Sequence, residues 1–274
     1  VRTERGRFLK ERKMIIPPAV VPNSACYRET EILHYGEPGN DFQTCYLTIP
    51  RECPSPAPVT VWFHGGGLTG DGAQDCLPAL YNGKNIVVEV RYRLSPATPA
   101  TGAIEDAAAA LARIISGIDS WGGDRRRLFI GGISAGAYLA AIVGMNPRFL
   151  APYGIDPRRE LAGLMLVSGQ MTTHYQLKID LGYPGNQFTP VIDDYAPLAH
   201  ASADLPPIVL VTGAPGLDIA GRPEENAFFA ATLRALGHRH VEHYALPGHD
   251  HSGAFASCNF LLERFLEKIL AERQ

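Results

Sequence analysis

The chain has 274 residues, 46% hydrophobic and 19% charged, enough for one large domain of alternating strands and helices or for two small ones. A formal net charge of −3 with no long basic block argues against nucleic acid as a partner. The 22 prolines and 28 glycines are spread along the chain rather than gathered, which argues against a disordered tract.

Residues 1–40 read as an N-terminal arm ahead of the domain at 41–274. Residues 1–13 are basic and charged, and Pro17 and Pro18 interrupt the next stretch, unlike the apolar core of a secretory leader. The sequence opens on Val1 rather than Met, so an upstream leader since removed stays open as an alternative. No run approaches the ~20 apolar residues that span a bilayer. Five cysteines (Cys26, Cys45, Cys53, Cys76 and Cys258) show no C-x-x-C or Cys/His spacing, so no metal is expected. Their odd number leaves at least one thiol free within a monomer. Unpaired thiols fit a reduced compartment such as the cytoplasm, whereas a disulfide among the three N-terminal ones would fit a secreted protein.

Strands are expected at 45–49, 59–63, 86–92, 128–130, 164–167, 208–212 and 241–245. Several are continuous Val/Ile/Leu runs, the pattern of strands covered on both faces. Helices alternate with them. Ile104, Ala107, Ala108, Leu111, Ile114 and Ile115 share one helical face. Leu139, Ile142 and Val143 line a helix at 135–145. A helix opening near Glu224 has Phe228, Phe229, Leu233 and Leu236 as its apolar side, and the last helix offers Leu261, Leu262, Phe265, Leu266, Ile269 and Leu270. The alternation predicts right-handed crossovers in a doubly wound, mostly parallel sheet with helices on both faces. Residues 171–207 break the pattern and read as a short cap-like insertion, a lid or substrate wall.

Two glycine-rich motifs come directly after strands. Gly132-Ile133-Ser134-Ala135-Gly136 has the strand–turn–helix setting of a nucleophile elbow, with Ser134 raised at a helix N-terminus. His64-Gly65-Gly66-Gly67 can turn backbone N–H groups toward an oxyanion, and we assign that role to Gly66 and Gly67 with the N–H of Ala135. His64 itself reads as a scaffold residue. A serine needs a base, and among nine histidines His251 lies just past the last strand, at the carboxyl edge where such sites form. His249 beside it reads as a loop residue or a substrate contact. Asp218 is the first carboxylate after the 208–212 strand and can orient the imidazole, while Glu224 and Glu225 open the next helix. The resulting chain order is Ser, Asp, His.

Taken together, the His64-Gly65-Gly66-Gly67 run, Tyr92-Arg93-Leu94-Ser95-Pro96, Trp121-Gly122-Gly123-Asp124 and the Ser134 elbow resemble the carboxylesterase branch of the α/β-hydrolases. The chain is similar there to hormone-sensitive-lipase-like enzymes and to bacterial acetyl- and feruloyl-esterase-like proteins, over roughly residues 40 to 270. The resemblance implies a sheet of about eight strands, a Ser-Asp-His triad, no cofactor, and a small-molecule ester as substrate, its acyl group small to medium or aromatic and carried on a sugar by family analogy. One position departs from the family. Its acid usually lies two or three residues after the glycine closing the seventh strand, where this chain has Pro215 and Gly216, and Asp218 comes two residues later. Either a longer loop brings Asp218 into place or the acid is degenerate. An amidase or peptidase on the same scaffold, and a catalytically silent binding protein, are the alternatives. Oligomeric state has no signature in the sequence.

Overall fold

The structure is a computed structural model and describes residues 21–52, 56–72 and 77–273. Eight strands form one sheet: β1 (Glu31–His34), β2 (Thr44–Thr48), β3 (Ala57–Phe63), β4 (Ile86–Val90), β5 (Gly123–Ile133), β6 (Leu161–Val167), β7 (Ile208–Gly213) and β8 (Val241–Leu246). Their spatial order is β1-β2-β4-β3-β5-β6-β7-β8. β1 and β2 run antiparallel to their neighbours, and every other pair is parallel. The helices between strands are α1 (Ala100–Gly117), α2 (Ala135–Met145), the one-turn α3 (Pro157–Glu160), α4 (Tyr175–Asp180), α5 (Arg222–Ala235), α6 (His251–Ser257) and α7 (Asn259–Glu272).

Two cores sandwich the sheet because side chains alternate along each strand. Val59, Val61, Ile86, Val88, Ile130, Leu164 and Leu210 point to one face and pack with Ile104 and Leu111 of α1, Leu139 and Ile142 of α2, and Phe229 and Leu233 of α5. Trp62, Val87, Phe129, Met165, Val209 and Val211 point to the other and pack with Leu262, Phe265, Leu266 and Ile269 of α7. Burial on both faces is why these strands read as unbroken apolar runs.

All seven expected strands are present. An eighth, β1, falls in the segment expected to be an arm, as a short and mostly exposed edge strand. The apolar side expected for α5 needs correction. Phe229 and Leu233 are buried, whereas Phe228 is 60% and Leu236 50% exposed, so the inward stripe is narrower than the hydrophobic residues suggest. Cys26, Cys45 and Cys258 are free thiols, while Cys53, Cys76 and residues 1–20 lie outside the described residues. Among the described residues no helix is long and apolar enough to cross a membrane.

The parallel strands end at one edge, and the loops leaving that edge carry Ser134, Asp218, His251 and the glycine turn. The insertion at 171–207 joins β6 to β7 there and contains α4.

Candidate active site

β5 runs straight into Ser134, and α2 begins at the next residue. Ser134 has φ 54° and ψ −115°, a backbone conformation that costs a residue with a Cβ about 1–3 kcal/mol. Both flanking glycines are required by contact. A Cβ on Gly132 would sit 2.4 Å from the Gly136 carbonyl carbon, and one on Gly136 would sit 2.0 Å from the Phe63 carbonyl oxygen. The head of α2 is thereby pressed against the end of β3, where the His64-Gly-Gly-Gly turn starts. The Ser134 N–H donates to the Val167 carbonyl at 2.8 Å, tying the elbow to the end of β6.

In the glycine turn, Gly66 and Gly67 have φ of 107° and 65°, and the Gly70 N–H closes the turn on the Gly66 carbonyl at 2.8 Å. His64 acts as scaffold: its ring stacks on Tyr92 at 4.2 Å, and its Nδ1 accepts the Gly72 N–H at 3.1 Å. Among the described residues the N–H groups of Gly66, Gly67 and Ala135 have no hydrogen-bond partner within the protein. Tyr175, the first residue of α4, brings its hydroxyl to 2.1 Å from where a Cβ on Gly67 would be. The hydroxyl therefore lies directly on the glycine backbone, and only glycine leaves it room.

Asp218 and His251 meet at the neighbouring strand ends. The loop after β7 folds back, with the Leu217 and Asp218 N–H groups both donating to the Ala214 carbonyl at 3.0 and 3.1 Å. That extra turn carries Asp218 past Pro215 and Gly216 and sets its carboxylate 2.7 Å from His251 Nδ1. Gly213 permits the meeting, because a Cβ there would lie 2.6 Å from the His249 carbonyl oxygen. Asp218 also accepts the Gly213 N–H at 2.8 Å and the Ile219 N–H at 2.7 Å. Burial pushes its carboxyl up, but hydrogen bonds from His251, Ser168, Gly213 and Ile219 outweigh that and hold its pKa down to about 2. Asp218 is therefore a fixed anion at neutral pH. His251 opens α6 behind Asp250, whose carboxylate accepts the Gly253 N–H at 2.7 Å as a cap.

Ser168 is the group the sequence reading missed. It comes just after β6 with φ 48°, donates its hydroxyl to Asp218 Oδ2 at 2.7 Å, and lies 3.0 Å from His251 Nδ1. Asp218 and Ser168 thus share the Nδ1 proton, which leaves Nε2 of the ring to act as a base. The Ser134 hydroxyl itself makes no hydrogen bond among the described residues. The Ser134 N–H binds Val167, and the side chain of the next residue, Ser168, touches His251.

The remaining candidates take structural places. Glu225 accepts the Met171 and Thr172 N–H groups at 2.9 and 3.2 Å and the Thr172 hydroxyl at 2.9 Å, so it pins the start of the insertion. Glu224 sits in the first turn of α5. His249 is exposed, with Nδ1 2.9 Å from the Pro247 carbonyl. Arg222, also missed, is buried and donates from Nη1 to the Ser168 carbonyl. The 68–75 loop that follows the glycine turn is described only to Gly72, and Ala73, Gln74 and Asp75 lie outside the described residues. Among the described residues no group of three or more His, Cys, Asp or Glu side chains could hold a metal ion.

Comparison with known proteins agrees with this architecture. A family profile for the alpha/beta hydrolase fold matches residues 60–255. The chain is 38% identical over 107 residues to Esterase LipI of Mycobacterium tuberculosis, covering 36% of this chain and 33% of that protein. It is 35% identical over 136 residues to Carboxylic ester hydrolase LipN of the same organism, covering 48% of this chain and 35% of the relative. The chain spans about a third of the length of such curated relatives. A truncated carbohydrate esterase from gut microbiota superposes with a TM-score of 0.76 over 90% of this chain and 98% of that one, at 14% identity, a likeness of fold.

Proposed function

This chain belongs to the alpha/beta hydrolase fold family, and we propose that it hydrolyses a carboxylic ester of a small molecule through an acyl-serine intermediate. Ser134 is the nucleophile, His251 the base, Asp218 its orienting anion, and the N–H groups of Gly66, Gly67 and Ala135 the oxyanion cradle. The observation that carries this reading is the 2.7 Å pairing of the buried Asp218 carboxylate with the partly exposed His251 ring, together with a serine held in a strained turn at the head of α2. Partner-free amides around the elbow support the cradle. The names of the relatives, an esterase and a carboxylic ester hydrolase, support the ester as substrate.

In the forward step Ser134 Oγ attacks the ester carbonyl while its proton passes to His251 Nε2. The carbonyl oxygen takes up the negative charge of the tetrahedral intermediate and is met by the three N–H groups. Asp218 stabilises the imidazolium that forms. The intermediate collapses, the bond to the alcohol oxygen breaks, and His251 returns its proton to the departing alkoxide. Water then attacks the acyl-serine, with His251 taking its proton and returning it to Ser134 as the acid leaves. The insertion at 171–207 supplies a substrate wall, since Tyr175 of α4 sets its hydroxyl against Gly67 of the cradle.

Rates on p-nitrophenyl acetate and on the matching anilide test the reading. Hydrolysis of the ester, faster than the anilide and abolished in Ser134→Ala, is the expected result. A faster anilide would make the protein an amidase, and ester turnover surviving in Ser134→Ala would remove the nucleophile assigned here.

A further inference from the structure

We propose that the cavity between α4 and the head of α5 takes a carboxylate carried by the substrate, and that Arg222 is its anchor. The proposal deepens the esterase reading and rests on it for the position of the scissile bond. The cavity has a volume of about 360 Å³ and is lined by Gln170, Tyr175, Phe188, Ile219, Arg222 and Glu225, among others. It adjoins the site at two points. The Tyr175 hydroxyl rests against Gly67 of the cradle, and Ile219 is the residue directly after Asp218.

The unused hydrogen-bonding groups of the wall decide the chemistry. Glu225 is largely engaged, with Oε2 accepting the Met171 and Thr172 N–H groups and Oε1 the Thr172 hydroxyl. The Gln170 amide is also occupied: its oxygen accepts the Tyr175 N–H at 3.2 Å, and its nitrogen donates to the Thr172 hydroxyl at 3.2 Å and the Thr173 carbonyl at 3.3 Å. Arg222 differs. It is 4% exposed, and among the described residues its guanidinium makes one hydrogen bond, from Nη1 to the Ser168 carbonyl. A guanidinium has five N–H donors, so most of its capacity faces neighbours that do not use it.

Burial works against its charge, while Glu225, Asp218 and the Tyr175 phenol favour it. Among the described residues neither carboxylate hydrogen-bonds to the guanidinium, so its spare donors stay open to an anion in the cavity. A wall whose spare donors sit on one guanidinium and whose acceptors are mostly engaged suits a carboxylate, which accepts only, better than a sugar, whose hydroxyls need both. Phe188 and Ile219, 58% and 39% exposed, supply apolar surface for the carbon chain between carboxylate and ester.

Two pairs of esters test this, differing by a carboxylate in place of a methyl group. On the acyl side they are 4-nitrophenyl hemiglutarate and 4-nitrophenyl valerate; on the alcohol side, 3-acetoxybenzoate and 3-methylphenyl acetate. In at least one pair the carboxylated ester should be preferred about tenfold or more in kcat/KM. Arg222→Gln should remove the preference and Arg222→Lys should keep part of it, a ratio that general damage to the fold does not move. If Arg222→Gln does not fold, Phe188→Glu at the rim should lower the ratio by repulsion. Calorimetry with glutarate reads the anchor without hydrolysis, and binding should be lost in Arg222→Gln. A protein that binds glutarate through Arg222 but turns over neither pair would overturn the esterase reading and keep the anchor. Preference for the neutral ester in both pairs, or a ratio unchanged in Arg222→Gln, overturns the anchor and leaves the esterase reading standing.

Discussion

Ser134 and Ser168 occupy equivalent positions on neighbouring strands. Ile133 of β5 pairs with Val167 of β6, so the two serines are the next residues up. Each has positive φ, and each donates its N–H to the last part of the adjoining strand, Ser134 to Val167 and Ser168 to Val211. Beyond that point the two chains of residues diverge. Ser134 enters an 11-residue helix between two glycines, and its hydroxyl is uncommitted. Ser168 enters the irregular insertion, and its hydroxyl is held between Asp218 and His251. Backbone strain alone therefore does not mark a nucleophile. On the proposed reading the nucleophile is marked by strain combined with a free hydroxyl, amides around it, and an imidazole with one nitrogen to spare.

Substitutions that separate the two serines should rank accordingly. Ser134→Ala removes the attacking oxygen and should lower kcat on p-nitrophenyl acetate by about 10⁶-fold, as measured by steady-state kinetics with the fold checked by circular dichroism. Asp218→Asn keeps the shape but misorients the imidazole, and kcat should fall about 10⁴-fold with KM little changed. Gly67→Ala sets a methyl group against the Tyr175 hydroxyl and disturbs one cradle amide. A loss of about 10²–10³-fold in kcat is expected from pre-steady-state acylation rates. Ser168→Ala should be the mildest, about 10–100-fold in kcat, because it removes one hydrogen bond to a charged carboxylate that keeps three others. A Ser168→Ala loss as large as that of Ser134→Ala would collapse the distinction.

The same cluster sets a pH dependence of stability. Asp218 has its pKa depressed to about 2 in the folded protein. Its contribution is present above the unfolded carboxylate value near ~4 and is lost as pH falls from there through ~2. The amount is on the order of 2 kcal/mol. Asp218→Asn should flatten the acid limb of a urea-unfolding series between about pH 4 and pH 2 relative to the unmodified chain. An identical limb in both proteins would place the charge elsewhere.

Much of the fold and site was visible in the amino-acid order, for physical reasons that also explain the gaps. β3, β4, β6 and β7 are covered on both faces, so their Val/Ile/Leu runs announce them. β1 is a four-residue edge strand whose Glu31 and His34 face solvent, and nothing in that pattern separates it from a loop. Ser134 lies in a motif whose glycines are demanded by contacts a few residues away, and the motif shows in sequence. Ser168 and Arg222 gain their meaning from Asp218 and His251, 50 and 83 residues beyond Ser168, and no local spacing encodes such a meeting. Phe228 and Leu236 misled because exposed hydrophobic residues are ordinary on a helix whose inward stripe is narrow. Asp218 lies in between: its residue type pointed to the role, but only the backward turn at Ala214 accounts for its displaced position.

Reaction with a fluorophosphonate, then digestion and mass spectrometry of the labelled peptide, tests the central claim most directly because it asks which serine is activated. The account predicts one adduct, on Ser134, formed slowly in Asp218→Asn and absent in Ser134→Ala. An adduct on Ser168, or an intact protein that takes no label, would contradict it.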